Sequence, residues 1–377
     1  MAVAVTADSR VLIIGAGCFG LSTAYHLLKR GYKNITILDR SPSVPAPDAA
    51  STDINKIVRS SYSDIFYARL AREAIEAWKD RDEWSDTYHE CGVVVVGASK
   101  AAYTDNSFTN DIALGARTEI LSNPETIRAL FPEGVRTGSF QGISGYINRD
   151  GGWAFAAQGI SLLMEKVKSL GGQIVPGKWQ SVAFIQLTQE EADRYRNCPV
   201  YLDFISGFYI FPPNSQNIVK MAIHSNGHTF KDPSTGVAVS SPRTSLSHGD
   251  DGLRIPKKVA QTIRNNLRMV YPELGEKPFS GTRLCWYTDT PDDDWIIGYH
   301  PTDSGLVLAT GGSGHAYKFL PNIGRLVADA IENKLEPDLV QRFALNREHN
   351  QHHVSRTGPQ AQELDVTDLI IPGDLLP

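Results

Sequence analysis

The amino-acid sequence predicts an α/β chain of two domains. One is a Rossmann-like domain on a parallel sheet; the second is an α+β domain on an antiparallel sheet. Three observations predict this. Residues 9–40, "SRVLIIGAGCFGLSTAYHLLKRGYKNITILDR", read as strand, tight turn, helix, strand. Residues 200–227, "VYLDFISGFYIFPPNSQNIVKMAIHSNG", read as two or three strands joined by a Pro-Asn turn. At 377 residues the chain is also too long for one small core.

The first strand is the apolar run Val11 to Ile14, expected to be covered on both faces. Gly15, Gly17 and Gly20 then form G-x-G-x-x-G. The first glycine permits the turn, the second admits a pyrophosphate, and the third lets helix pack close to strand. Leu21, Ala24, Leu27 and Leu28 follow at helical spacing, and Gly31 stops the helix. The second strand, "NITILD", ends in Asp39, with Arg40 beside it. A carboxylate about 20 residues beyond the glycines stands where a ribose hydroxyl is held. The fingerprint marks a dinucleotide site and does not separate NAD from FAD. Cys18, inside the turn, reads as a small filler.

Residues 48–84 begin polar and become a helix whose apolar face is Tyr67, Leu70, Ala71, Ala74 and Trp78. Lys56 and Arg59 lie at its start, close to the carboxyl ends of the strands, where open α/β sheets bind ligands. "CGVVVVGA" is a strand, and "GGWAFAAQGISLLMEKVKSLGGQIV" a loop, a helix and the start of a strand. "GLVLATGGSGHAYKFLPNIGRLVADAIENK" returns to strand, glycine loop and helix.

Bulk properties exclude several functions. A net charge of -5 gives no attraction to phosphate backbones, so nucleic acid is not an expected partner. Cys18, Cys91, Cys198 and Cys285 are far apart, which argues against a disulfide framework or structural zinc. No stretch of about 18 apolar residues suggests a membrane span. The start lacks the pattern of a signal peptide, and "PGDLLP" is not a peroxisomal address, so a cytosolic protein is expected.

Four stretches in this order, "STDINKIVRSSY", "NIVKMAIH", "RLCWYTDTPDDDWIIGYHP" and "GGSGHAYKFLP", resemble the flavoprotein amine oxidases. That family includes monomeric sarcosine oxidase, fructosyl amine oxidases (amadoriases), and saccharopine and pipecolate oxidases. The resemblance runs from about Arg10 to about Asn346. It implies an FAD-binding domain from 1–60, 145–180 and 285–346, a substrate domain from 61–144 and 181–284, and a tail at 347–377. A monomer is expected.

The resemblance also implies site roles. Cys285 matches the cysteine that carries FAD through a thioether to the flavin 8α-carbon, which raises the flavin's reduction potential; the alternative is a buried structural thiol. Lys220 matches the lysine that speeds reaction with oxygen, since a fixed cation stabilises developing superoxide; otherwise it is a solvated charge. Lys318 matches the residue that holds a substrate carboxylate near the flavin. Gly312 and Gly314 belong to a loop whose N–H groups suit flavin oxygens or pyrophosphate. Ala316 and Tyr317 stand where the family more often has Gly-Phe, which bears on pocket shape. His315 is a flavin neighbour or a satisfied loop histidine. Lys56 and Arg59 match basic residues near the flavin and the carboxylate, or else are surface charges; Arg59 suits a bidentate grip. His224 is a weaker candidate, and Tyr287 lines the pocket or the core. Asp292, Asp293 and Asp294 read as a solvated turn, with no metal expected.

The implied reaction oxidises a C–N bond. A neutral amine delivers a hydride equivalent to the flavin, the imine is hydrolysed, and oxygen gives hydrogen peroxide. The implied partners are an amino-acid-derived secondary amine (fructosyl amino acid, saccharopine, pipecolate or N-methyl amino acid) and molecular oxygen. The chain departs from the family after "GGQIVPGK". Relatives continue through strands near the FAD adenine and a D-x-V-V-x-A-x-G-x-W segment, whereas here "WQSVAFIQLT" follows at once. Some tens of residues are missing. Their loss is expected to expose apolar faces and open a sheet edge. It also raises the alternative of a flavin-binding protein with impaired catalysis.

Overall fold

The computed structural model describes residues 5–42, 45–46, 49–97, 102–177, 185–231, 242–349 and 361–377. The shortened junction after Gly177 lies outside the described residues until Ile185.

Strand β1 (Arg10–Ile14), helix α1 (Cys18–Lys29) and strand β2 (Asn34–Pro42) follow the order expected. β1 and β2 pair in parallel, and β2 pairs in parallel with Gln173–Gly177, giving a three-stranded sheet. Helix Ala156–Ser169, which leads into that third strand, and α1 both bury their apolar faces in one core. Helix Ile323–Ile331 crosses α1 closely because Gly324 has no side chain; a Cβ there would lie 2.1 Å from the Ser22 carbonyl. Ser22 Oγ donates to the Leu320 carbonyl at 2.8 Å and accepts the Gly324 N–H at 2.9 Å.

β1 departs from expectation. Among the described residues it pairs only with β2, and Leu12 and Ile14 are 60% and 77% exposed. An apolar run of this kind expects cover on both faces, yet no described element covers this one. The hairpin of Ile296–His300 and Asp303–Thr310 forms its own two-stranded sheet, with Leu306 exposed.

The second core surrounds a six-stranded sheet. Its order is Met221–Ile223, Phe208–Ile210, Val200–Asp203, Val93–Gly97, Ser144–Asn148, Thr118–Leu121. The expectation of an antiparallel sheet needs correction: Val200–Asp203 and Val93–Gly97 pair in parallel, and the other pairs are antiparallel. Val93–Val96 are wholly buried, as a central strand covered on both faces requires. Ser144–Asn148, which straddles residue 145, pairs with Val93–Gly97 and Thr118–Leu121 within this sheet. Gly152–Ala154, expected as loop, is the middle strand of a small sheet between Lys56–Val58 and Tyr88–Glu90. The tail closes on the second core: the Ile370 N–H reaches the Ile255 carbonyl, and Arg264 donates to the Leu375 carbonyl.

Candidate active site

The glycine turn is built as its sequence demands. Gly15 has φ +105°, and a Cβ on Gly20 would lie 1.9 Å from the Gly15 carbonyl oxygen. Asp39 braces this turn: its Oδ2 accepts the Ala16 N–H at 2.7 Å and its Oδ1 the Ser41 N–H at 2.8 Å. Each oxygen keeps a second lone-pair direction for a ligand. The side chain of Arg40 lies outside the described atoms. Ser51, which opens the stretch 51–55, lies against the turn, since a Cβ on Gly17 would be 3.5 Å from its Oγ. In that stretch Thr52 Oγ1 and both amide atoms of Asn55 are buried without a partner among the described residues. Buried polar atoms are normally satisfied, so these fit a polar ligand laid over the turn.

Beyond the turn a cavity of about 120 Å³ is lined among others by Tyr62, His315, Arg342 (paired with Asp294 and Asp64) and four further cations, Lys56, Arg59, Lys220 and Lys318. These four fall into two pairs. Lys56 and Lys220 both donate to Asp53 Oδ2, Lys220 at 2.5 Å, and Lys220 also donates to the Asn55 carbonyl at 2.9 Å. Burial pushes Lys220 down to about 8, against the attraction of Asp53. Asp53 itself is pushed up by burial, but Lys220 and Lys56 outweigh this and hold it below the usual carboxylate range.

The other pair has no acid. Arg59 and Lys318 are 5% and 3% exposed, and neither enters an ion pair among the described residues. The Arg59 guanidinium donates to the Ser61 carbonyl and lies 4.6 Å from the Tyr62 ring centre. Lys318 donates to Tyr62 Oη and to the His315 carbonyl, each at 2.8 Å. His315 Nε2 meets the Asp293 carbonyl at 2.9 Å, which can only accept, so Nε2 carries the proton. Burial and then Lys318 hold the imidazole neutral, well below its ordinary range. Nδ1 is therefore an acceptor and takes the Tyr62 hydroxyl proton at 3.1 Å. His315 is thus satisfied within the protein while also lining the cavity. Burial, and then Arg59, push Lys318 well below an ordinary lysine.

Cys285 is exposed at the lining of a second cavity of about 440 Å³, with Met221, Phe279, Trp286, Tyr287 and Tyr209. Tyr209 and Tyr287 line both cavities, and His224 faces the first. A thiol on an apolar hollow beside the cations fits the ring edge of a flavin. Gly314 has φ +69°, and its missing side chain makes room for the Tyr287 ring. In the same loop a Cβ on Gly312 would approach Ala316 at 3.3 Å. The N–H groups of Ser313, His315 and Ala316 are taken by protein carbonyls, so they are not ligand donors. Cys18 is pushed up to about 12 by burial, in keeping with a filler.

The acids after Cys285 correct the expectation of a solvated turn. Arg347 donates to both oxygens of Asp292, at 2.6 and 2.7 Å, and Arg342 bridges Asp294 and Asp64. The arginines arrive from residues far along the chain, which local sequence does not show. Among the described residues no cluster suits a metal ion, and no helix is long and apolar enough to cross a membrane.

A family model described as DAO, FAD dependent oxidoreductase, matches residues 10–330. The chain belongs to this family. It is therefore an enzyme, an FAD-dependent oxidoreductase, and the glycine turn with its unpaired polar neighbours fits that cofactor. L-saccharopine oxidase of Schizosaccharomyces pombe is 30% identical over 397 residues, covering 87% of this chain and 91% of the relative. That stretch is longer than the 377-residue chain, so the relative carries residues that this chain lacks. Monomeric sarcosine oxidase of Arthrobacter is 23% identical over 90% of this chain and 96% of its own length. The crystal structure of the deglycating enzyme fructosamine oxidase (Amadoriase II) from Aspergillus fumigatus, in complex with FSA, superposes with TM-score 0.84. It is 27% identical and covers 98% of each chain.

The sequence reading missed Asp53 and Tyr62. Both lie in the quoted "STDINKIVRSSY"; an acid three residues before Lys56 was the available signal.

Proposed function

We propose that this flavoenzyme oxidises the C–N bond of a secondary amine derived from an amino acid, giving an imine and hydrogen peroxide. The observation that carries the reading is the pair Arg59 and Lys318: two buried cations with no carboxylate of their own. Burying such charge is costly, and an anionic ligand group repays it. A substrate carboxylate bound there places the amine beside the same cavity. The cationic surroundings also favour the unprotonated amine, the form able to release hydride.

Bound FAD supplies the two-electron acceptor. The chain's residues do the rest. Arg59 and Lys318 hold the carboxylate, the Tyr62–His315 chain fixes Lys318, and Tyr209 and Tyr287 wall the cavity. The balance is that the C–H beside nitrogen loses hydride and the N–H a proton, and oxygen takes both as peroxide. Water then hydrolyses the imine. Lys220, close by and cationic, assists the oxygen half. Cys285 tethers the flavin; its exposure on the apolar cavity and its proximity to Lys220 support this. The names of the relatives support the substrate class and a monomer.

Peroxide release from FAD-loaded protein, measured with saccharopine, a fructosyl amino acid, pipecolate and an N-methyl amino acid, tests the reading. Release with one of them is expected; none with any overturns it. The face of β1, uncovered among the described residues, favours a second reading, a flavin-binding protein with impaired catalysis, which predicts yellow protein without peroxide. Colour that stays with acid-precipitated polypeptide supports the Cys285 tether, and its loss removes that part.

A further inference from the structure

Asp53 is 2% exposed and held from several directions. Its Oδ2 takes Lys56 and Lys220, its Oδ1 accepts the Ile54 N–H at 2.9 Å, and its carbonyl accepts the Ala157 N–H at 3.0 Å. The last contact pins it to the start of helix Ala156–Ser169. Lys220 arrives from between the short strands Ile218–Val219 and Met221–Ile223. The groups around it are Asp53, Lys56, the Asn55 carbonyl, the Phe211 ring and Cys285, with Arg283, Tyr209 and Tyr317 acting on Asp53 or acted on by it. Asp53 is the one acid among them.

We propose that Asp53 is a positioning residue that keeps Lys220 charged and aimed at the oxygen side of the site. The inference rests on the role of Lys220 proposed above. Two ammonium groups sharing one buried carboxylate leave a single net positive charge. Without that carboxylate, Lys56 and Lys220 repel, and the desolvated Lys220 sheds its proton more readily. The sign follows: removing Asp53 lowers the pH at which Lys220 turns neutral, so cationic assistance survives at low pH and is lost as pH rises.

The test uses full-length, FAD-loaded Asp53→Asn, with flavin reoxidation by oxygen followed from about pH 6 to about pH 9, the range bracketing a perturbed lysine. The pH at which reoxidation slows is expected to fall by about 1–2 units, with the profile of reduction by substrate unmoved. Asp53→Glu should return most of the shift. A second readout needs no cofactor: in ¹³C-lysine-labelled apoprotein, the resonance lost in Lys220→Met should titrate lower in Asp53→Asn by a similar amount. Should Asp53→Asn not fold, Asp53→Asn/Lys220→Met removes both charges and should reoxidise like Lys220→Met at every pH. An unchanged Lys220 midpoint overturns the inference. So does equal slowing of reduction and reoxidation without a pH shift, or additivity in the double variant. If Lys220→Met leaves reoxidation unchanged, the oxygen role of Lys220 fails, while the resonance midpoint still decides whether Asp53 sets its charge.

Discussion

At the scale of the residue, the site is defined by which cations have acids and which do not. Arg59 and Lys318 lack them, so truncating either should cost substrate binding. Removing one partner of a buried charged contact costs about 2–5 kcal/mol. Arg59→Met and Lys318→Met are thus expected to raise KM at least about 30-fold, read in peroxide assays with the substrate found active. Arg59→Lys should recover only part of this, because an ammonium cannot make the two parallel contacts of a guanidinium. An unchanged KM in Arg59→Met would remove it from carboxylate binding. The depressed Lys318 adds a pH signature. Only its protonated form attracts an anion, and burial and then Arg59 shift its titration below that of an ordinary lysine. Binding of a simple carboxylate such as acetate should therefore weaken as pH rises, and Lys318→Met should flatten that dependence. A dependence equally steep in Lys318→Met would assign the titration elsewhere.

At the scale of the element, two features make sharp expectations. Gly20→Ala forces a Cβ into the Gly15 carbonyl, which no side-chain adjustment relieves. It should abolish FAD retention, measured as bound flavin after gel filtration, and retention at the parental level would separate the turn from the cofactor. The second feature is β1, which among the described residues has a face with Leu12 and Ile14 uncovered and an edge unpaired. Such an edge is a site for self-association. Leu12→Lys should lower light scattering on concentration without lowering the melting temperature; a lower melting temperature would mean that the face is covered in solution. The strand–turn–helix–strand unit was legible because each residue there obeys a local rule: an apolar run, three glycines, a helical stripe, a terminal acid. Cover over β1 was misread because an apolar run states a preference, and whether another layer meets it depends on distant segments. The parallel pairing of Val200–Asp203 with Val93–Gly97 was invisible for the same reason.

At the scale of the whole molecule, the site is assembled from both ends of the chain. Asp53, Arg59 and Tyr62 come from the first sixth, Lys220 from the middle, and Cys285, His315 and Lys318 from the last third. The stretches that carry these residues were legible as matches in order; the pairings Lys220–Asp53, Lys318–Tyr62 and Asp292–Arg347 were not, because no local spacing encodes a contact 55 or 167 or 256 residues long. Arg342 and Arg347, beyond the family match that ends at residue 330, fasten this part of the chain to the acids beside the cavity. Asp292 and Arg347 are nearly fully buried, with side chains 3% and 6% exposed. Breaking a buried pair by removing one partner costs about 3–5 kcal/mol, since the remaining charge is stranded. Arg347→Met should therefore lower the unfolding free energy by that amount at neutral pH, read in denaturant titrations. Burial pushes the Asp292 carboxyl up, but Arg347 and His349 more than reverse this, holding it well below the usual carboxylate range. Its stabilising share is thus present above the unfolded value of about 4 and is lost as pH falls through and below it. In Arg347→Met the stranded Asp292 is relieved by taking a proton. The stability gap between parent and variant should accordingly narrow on acidification, in denaturant titrations at successive pH values. A gap independent of pH would mean that Arg347 acts through packing of its stem, and that the charge of Asp292 does not hold the C-terminal segment to the site.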